Sequence, residues 1–476
     1  MAIPALDAAH AAATRYLESL SERPVGANSP EATVEALRAS LGGPLPERGE
    51  ETARVVTDLA RKADPGIVAS SGPRFFGFVV GGTLPAAMGA DWLTSAWDQN
   101  CGLFVLSPAA SVIEETVASW LRELFGLPAQ TGVGLVTGGQ MATTTGLLAA
   151  RHAVLARAGW DVEERGLFAA PPIRVLASEE AHVTIYGALR TLGFGDRSVR
   201  KVACDGQGRM RLDALEAALR EAPGQPTVIC AQAGNVNTGS FDPLEEIAAL
   251  AAAHGKPWIH VDGAFGLWAA ASRRLRALVR GLALCDSWAV DAHKWLNVPY
   301  DSGIALVRDA QAQRAAVART AAYLQTSGGA RDNYEWSLEF SRRGRAFAIY
   351  AALRELGREG IEELIDRCCA CAREMATLLA DEPGVEVLNE VVLNQALVRF
   401  HPPGVARPSA AEIDAHTRAV IARVQQGEVC WLSGTVWHGA AAMRISVCSF
   451  RTTLADAQRS ARAIVAAHRD RGASDS

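Results

Sequence analysis

Four lysines stand in this chain of 476 residues: Lys62, Lys201, Lys256 and Lys294. The 47 basic residues are therefore mostly arginine, and few amines are available for nucleophilic chemistry. Lys294 is set between His293 and Trp295, just after the apolar run Trp288–Val290. Apolar surroundings disfavour an ammonium, so a lysine there can shed its proton and attack a carbonyl. Three further features carry chemistry. Thr137–Gly146 reads T-G-G-Q-M-A-T-T-T-G, a glycine pair opening a helix, where free amides and the helix dipole suit a phosphate. Asp262 closes the apolar run before G-A-F-G. An acid so placed either caps the next helix or holds a cationic ring nitrogen. His182, in S-E-E-A-H-V-T, is either a satisfied core histidine or a working one.

Apolar runs alternating with helices position these residues. Strands are expected at Gly132–Thr137, Ile173–Ser178, Thr227–Gln232, Trp258–Asp262, Ser287–Asp291 and Gly303–Val307. Helices are expected at Met141–Leu155, from near His182, and at Pro243–His254. Continuous apolar strands separated by helices imply a parallel sheet covered on both faces. Ligands of such sheets lie beyond the strands' carboxyl ends, where His182, Asp262 and Lys294 all fall.

Upstream, residues 1–72 read as a helical arm, with helices at Asp7–Leu20 and Glu31–Leu41. Such an arm must lie on another domain or another subunit. An aromatic, glycine-rich stretch follows from Pro73, then helices through Ala86–Trp97 and Ser111–Phe125 around the irregular Asp98–Pro108. The large domain is expected over 73–345. Within it, Thr320–Asn333 is a polar, glycine-bearing loop carrying Tyr323. A small α/β domain takes 346–476, with Arg343–Asp381 helical, strands at Val391–Phe400 and Met443–Cys448, and helices at Ala410–Gln426 and Leu454–His468.

Taken together, D-A-H-K-W, H-V-D-G-A, E-A-H and G-N-V-N-T-G-S-F-D-P (Gly234–Pro243) resemble the fold-type-I pyridoxal-phosphate enzymes. Within these the chain is similar to the group II amino-acid decarboxylases, the aromatic amino-acid and glutamate decarboxylases, from about Pro73 onward. The 32-residue gap from Asp262 to Lys294 fits. The resemblance implies an α/β fold of the aminotransferase kind with a mostly parallel central sheet. It implies that Lys294 carries the cofactor, that Asp262 pairs with its ring nitrogen, and that Ala264 and His182 cover the two ring faces. Gly139, Gln140 and His293 would contact the phosphate. Asn235 and Asn237 stand where relatives place a hydroxyl beside the ring, and Gln140 replaces a serine common in relatives. Tyr323 aligns with the loop tyrosine that protonates Cα. Phe76, Phe78 and Phe104 would line the substrate pocket. Arg74 is the only basic residue among the segments Arg74–Pro85 and Cys101–Leu106, which favours an apolar or aromatic side chain over an acidic one. An active homodimer with composite sites is expected.

Composition narrows the rest. The chain is 49% hydrophobic and 21% charged, ordinary for a globular protein. A net charge of −5 and a pI near 6.1 speak against nucleic acid or an anionic membrane as partner. Cys368, Cys369 and Cys371 lack a fourth ligand at zinc spacing, so no metal is expected. No 18-residue apolar window occurs, and Asp7, His10 and Arg15 interrupt any leader, so the cytoplasm is the expected location. An aminotransferase or carbon–carbon lyase would share the cofactor machinery without the Tyr323 loop. An aldehyde synthase usually departs at that tyrosine or at the stacking histidine, and a non-catalytic binder would lose Lys294 or Asp262.

Overall fold

A computed structural model describes residues 3–26, 30–319 and 329–470. Its helices and strands run, in chain order, α1 (Pro4–Ser19), α2 (Pro30–Leu41), α3 (Thr52–Ala63), α4 (Pro85–Trp97), α5 (Pro108–Phe125), β1 (Gly132–Val136), α6 (Gly139–Arg157), α7 (Val162–Arg165), β2 (Arg174–Ser178), α8 (Val183–Thr191), β3 (Val199–Val202), α9 (Leu212–Arg220), β4 (Thr227–Gln232), α10 (Leu244–Ala253), β5 (Trp258–Asp262), β6 (Ser287–Asp291), β7 (Gly303–Val307) and α11 (Ala310–Val317). There follow α12 (Arg345–Ala380), β8 (Val385–Val387), β9 (Gln395–Phe400), α13 (Ala410–Gln426), β10 (Ser433–Trp437), β11 (Ala440–Ser446) and α14 (Leu454–Arg469). The chain divides into two units: residues 81–369 with 389–395, and residues 1–80 with 370–388 and 396–476.

The first of these holds a seven-stranded sheet in the order β1-β7-β6-β5-β4-β2-β3. From β6 across to β3 the neighbours are parallel. β7 departs from the expected parallel sheet, running antiparallel to both β1 and β6. Residues 292–302 are too short a connection for the helical crossover that a parallel neighbour needs. Because β7 is flanked by two antiparallel pairings, β1 runs in the sense of β6. The carboxyl ends of β1, β2, β4, β5 and β6 therefore share one edge.

Every residue of β1, β4, β5, β6 and β7 is buried, as a sheet covered on both faces requires. Leu147 and Leu155 of α6 and Ile185 and Leu189 of α8 pack with Val175, Val228 and Cys230 of the strands. Each such side chain contributes roughly 1.5–3 kcal/mol by leaving water. The outer edge of β1 is closed by arginine rather than by another strand. Arg331 donates to the Val133 carbonyl and Arg342 to the Leu135 carbonyl, and buried Glu114 pairs with both guanidiniums. Burial lowers Arg331 to about 10, with Glu114 opposing the shift.

The other unit carries a four-stranded sheet, β10-β11-β9-β8, with β10–β11 and β8–β9 antiparallel. His438 (φ +46) and Gly439 (φ +82) form the two-residue turn between β10 and β11. Two left-handed residues match the twist of a tight hairpin. The strand expected over Val391–Phe400 begins only at Gln395, because the chain first makes a tight turn in which the Val392 N–H donates to the Glu390 carbonyl at 2.8 Å, held by bonds from the two residues before Val391. Asn389 Nδ2 donates to the Thr238 carbonyl at 2.8 Å, and the Glu390 N–H donates to Gln207 Oε1 at 2.9 Å.

Candidate active site

Lys294 stands three residues beyond the end of β6, in the turn that leads to β7. Its amine lies 2.8 Å from Asp291 Oδ2, and its side chain is 22% exposed, so a ligand can reach it. Asp291 is buried and its other oxygen accepts the Gly139 N–H at 2.5 Å. One carboxylate thus ties the lysine to the first residue of α6. Gly139 has to be glycine here, since an added Cβ would come within 2.7 Å of Asp291 Oδ2. Helix α6 has 19 residues and presents its amino end to this cluster.

His293 is buried with its ring stacked on Tyr300, centroids 4.2 Å apart. Its Nδ1 accepts the Ser302 N–H at 3.1 Å and its Nε2 lies 3.4 Å from Asp291 Oδ1. Burial holds its pKa below the usual value, only partly offset by Asp291. The ring is therefore neutral near pH 7, with its proton on Nε2 facing the carboxylate. The backbone of the Lys294 turn is fixed from the other side. An added Cβ on Gly81 would overlap the Lys294 carbonyl oxygen, and Asn297 Oδ1 accepts the Gly82 N–H at 2.5 Å.

Asp262 ends β5, in register with Gln232 of β4 and Ala289 of β6. Its Oδ1 accepts the Ala264 N–H at 3.2 Å, and the Ala264 carbonyl accepts the Asp291 N–H at 2.8 Å. Asn235 follows β4 and is buried; its Oδ1 accepts the N–H groups of Asn237 and Thr238, while its Nδ2 donates to none of the described residues. His182 caps α8 just beyond β2, with Nδ1 2.8 Å from Thr184 Oγ1 and accepting the Thr184 N–H at 3.4 Å. That pairing leaves Nε2 to carry the ring proton. Gln140 lies beside Gly187 of α8, where an added Cβ would meet its Nε2 at 3.2 Å.

Gly139, His293 and Lys294 are thus joined directly through Asp291. Asp262, Ala264, Asn235, Asn237 and His182 stand at the same sheet edge. Phe104 lies in a short turn of the same unit, its N–H bonded to Asp332 Oδ1 at 2.8 Å. Phe76 and Phe78 belong to the other unit, and Tyr323 lies outside the described residues. Sequence reasoning passed over Asp291, which it took as the close of a strand. Its spacing is the available signal, because an acid three residues before a lysine in a turn meets the amine.

The donor set fits pyridoxal phosphate. It offers an amine for the aldehyde, a helix amino end for the phosphate and a strand-end carboxylate for the ring nitrogen. The buried Asn235 Nδ2 is a donor with no acceptor among the described residues.

A family model described as the pyridoxal-dependent decarboxylase conserved domain matches residues 35–401, beginning upstream of Pro73. The aromatic-L-amino-acid decarboxylase of Bacillus atrophaeus is 27% identical over 445 residues, covering 92% of this chain and 89% of that protein. The L-2,4-diaminobutyrate decarboxylase of Rhizobium meliloti (strain 1021) is 30% identical over 417 residues, covering 86% and 81%. The crystal structure of Oryza sativa TDC with PLP and tryptamine shares the fold, with a TM-score of 0.89 at 23% identity over 98% and 96% of the two chains. The chain belongs to the pyridoxal-dependent decarboxylase family and is an amino-acid decarboxylase whose cofactor is pyridoxal phosphate.

Proposed function

We propose that the enzyme converts an L-amino acid with an aromatic or apolar side chain to its amine and carbon dioxide. The observation that carries the substrate class is Arg74. Its Nε donates to the Val429 carbonyl and its Nη1 to the Ser21 carbonyl, both at 2.7 Å, and it is buried. The one cation in the aromatic stretch is therefore already engaged, by two backbone carbonyls and by Asp456 Oδ1 at 3.7 Å. A buried carboxylate without a partner would be costly.

In this reading Lys294 holds the cofactor through its amine, Asp262 faces the ring nitrogen, and Ala264 and His182 cover the ring. Gly139, Gln140 and His293 serve the phosphate, and Asn235 and Asn237 the ring substituents. When bound, the cofactor supplies an electron sink for the pair left on Cα as the carboxylate departs. Asp291 keeps the Lys294 amine in place, 2.8 Å from its Oδ2. Neutral His293 donates toward Asp291 and holds that carboxylate turned to the lysine. Tyr323 delivers the proton to Cα, with His182 Nε2–H as the second donor. Phe76, Phe78 and Phe104 are assigned to the substrate side chain.

A homodimer is supported by the arm: α1 and α3 have no buried residue, and Leu6, Val55 and Leu59 are exposed. Apolar stripes of this kind call for a partner surface. All nine cysteines are free thiols, which suits the reducing cytoplasm. Among the described residues no helix is long and apolar enough to cross a membrane.

The test is amine and carbon dioxide release from the common L-amino acids and 2,4-diaminobutyrate. The highest kcat/KM is expected for tryptophan, tyrosine or phenylalanine. Preference for glutamate, aspartate or diaminobutyrate would overturn the substrate class.

A further inference from the structure

We propose that Thr184 is the positioning residue that makes His182 present an N–H, rather than a bare nitrogen, to the reacting groups. The inference deepens the reading of His182 given above and rests on it. Both residues lie in the unit that holds Asp262 and Lys294. His182 is the N-cap of α8, with φ −62 and ψ 147, and Thr184 is the second residue of that helix. Serine, threonine, aspartate and asparagine make the best caps, so histidine is not the choice that α8 alone would favour. The cap is made by the ring nitrogen Nδ1, which accepts the Thr184 N–H at 3.4 Å and lies 2.8 Å from Thr184 Oγ1.

A hydroxyl can donate or accept, but a backbone N–H only donates. A proton on Nδ1 would point at that N–H, so Nδ1 keeps its lone pair and the hydroxyl donates to it as well. The ring proton is thereby set on Nε2. The backbone bond is long, so the shorter hydroxyl bond carries most of the preference. Thr184 is itself held still. Val183 beside it is 71% exposed, whereas Ile185, Ala188 and Leu189 are buried with Val175 and Val228 of the strands. At Gly187, three residues on, an added Cβ would meet Gln140 Nε2 at 3.2 Å. Helix α8 is therefore docked on the first turn of α6, the turn whose Gly139 is tied to Lys294 through Asp291. An N–H directed at electron-rich reacting atoms stabilises them, and a lone pair in the same place repels them. Thr184 touches no reacting atom in this account; it decides which of the two His182 offers.

The experiment uses the cofactor-loaded enzyme and joins kinetics to nitrogen NMR of isotope-labelled histidine. In the parent, His182, identified by the signal that His182→Gln removes, should show a pyridine-like Nδ1 and a pyrrole-like Nε2. Thr184→Val keeps the side chain's shape without its hydroxyl and should mix the two tautomers. It should lower kcat about tenfold, as one lost hydrogen bond does, with KM and the cofactor's dissociation constant within about twofold of the parent. Thr184→Ser should restore both kcat and the single tautomer, because its hydroxyl remains. Should Thr184→Val fail to fold, Thr184→Ala takes its place, and a parent spectrum with the proton on Nδ1 refutes the assignment without any variant. Parental turnover in His182→Gln would overturn the reading of His182 and this inference with it. An impaired His182→Gln beside a Thr184→Val of parental kcat, or a loss that serine does not restore, would leave His182 its role and overturn that of Thr184.

Discussion

The two sheets of this enzyme differ at their margins: the seven-stranded one ends in ionisable side chains that meet, whereas the four-stranded one is bordered by β10, whose residues alternate between buried and exposed. In the seven-stranded sheet the central strands are buried throughout, so polar groups are pushed to the strand ends. There Asp262 closes β5 opposite Ala289 and Asp291 closes the neighbouring β6, with Lys294 just beyond. In the four-stranded sheet β10 alternates, with Gly434 and Val436 exposed between buried Ser433 and Trp437. Arg399 of β9, half-buried on an otherwise buried strand, pairs with Asp414 of α13 at 2.7 Å. Strands buried on both faces concentrate their chemistry at their ends, whereas an alternating edge strand has no need to.

The strongest way to break this contrast is at the edge itself. Asp262→Asn should keep the fold and lower turnover by on the order of 10³-fold, since a neutral amide no longer stabilises a protonated ring nitrogen. Near-parental turnover would mean that nitrogen has another partner. Tyr323→Phe should lose most amine formation, perturbing neither fold nor cofactor content, and shift product toward aldehyde in air. Amine, aldehyde and carbon dioxide measured with and without oxygen check this; amine made at the parental rate would transfer the proton-donor role to His182.

Stability gives a gentler comparison. Ile229→Ala in β4 removes a fully buried side chain and should cost about 2–5 kcal/mol. Val436→Ala in β10, 62% exposed, should stay within about 0.5 kcal/mol. Denaturant midpoints of the two variants measure the difference, and equal losses would contradict the contrast.

The smallest effect concerns pH. His260 of β5 is lowered to about 3 by burial. His416, whose Nε2 lies 3.0 Å from His468 Nδ1, is lowered to about 4, first by burial and then by His468 and Arg423. The unfolded chain protonates both near pH 6.5, so their contribution is complete above that pH and is lost as pH falls toward 4. Asp242 acts oppositely, because burial raises it to about 6 and its contribution fades as pH rises through that value. Two histidines outweigh one aspartate, so melting temperature should rise from pH 4.5 to 6.5. His416→Gln should flatten that rise, and an unchanged slope would exclude the histidine pair.

The same contrast explains what was legible in the sequence. β5, β6 and β7 were placed to the residue because fully buried strands are unbroken apolar runs. β3 was passed over, since Arg200 and Lys201 make it charged and exposed, and the three-residue β8 and polar β10 carry no comparable run. The reversal at β7 depends on connection length rather than on composition. Glycine, acid and lysine of the site were visible because their residue types fall just after strands. Asp291 was not, because its role depends on a turn that folds its carboxylate back onto Lys294 and Gly139.

The central claim is that the amine held by Asp291 is the one that carries the cofactor. Borohydride reduction of the cofactor-loaded enzyme, followed by peptide mass spectrometry, tests it directly. The account predicts a single reduced adduct on Lys294, and none on Lys294→Ala. An adduct on Lys62, Lys201 or Lys256 in the parent enzyme would contradict it.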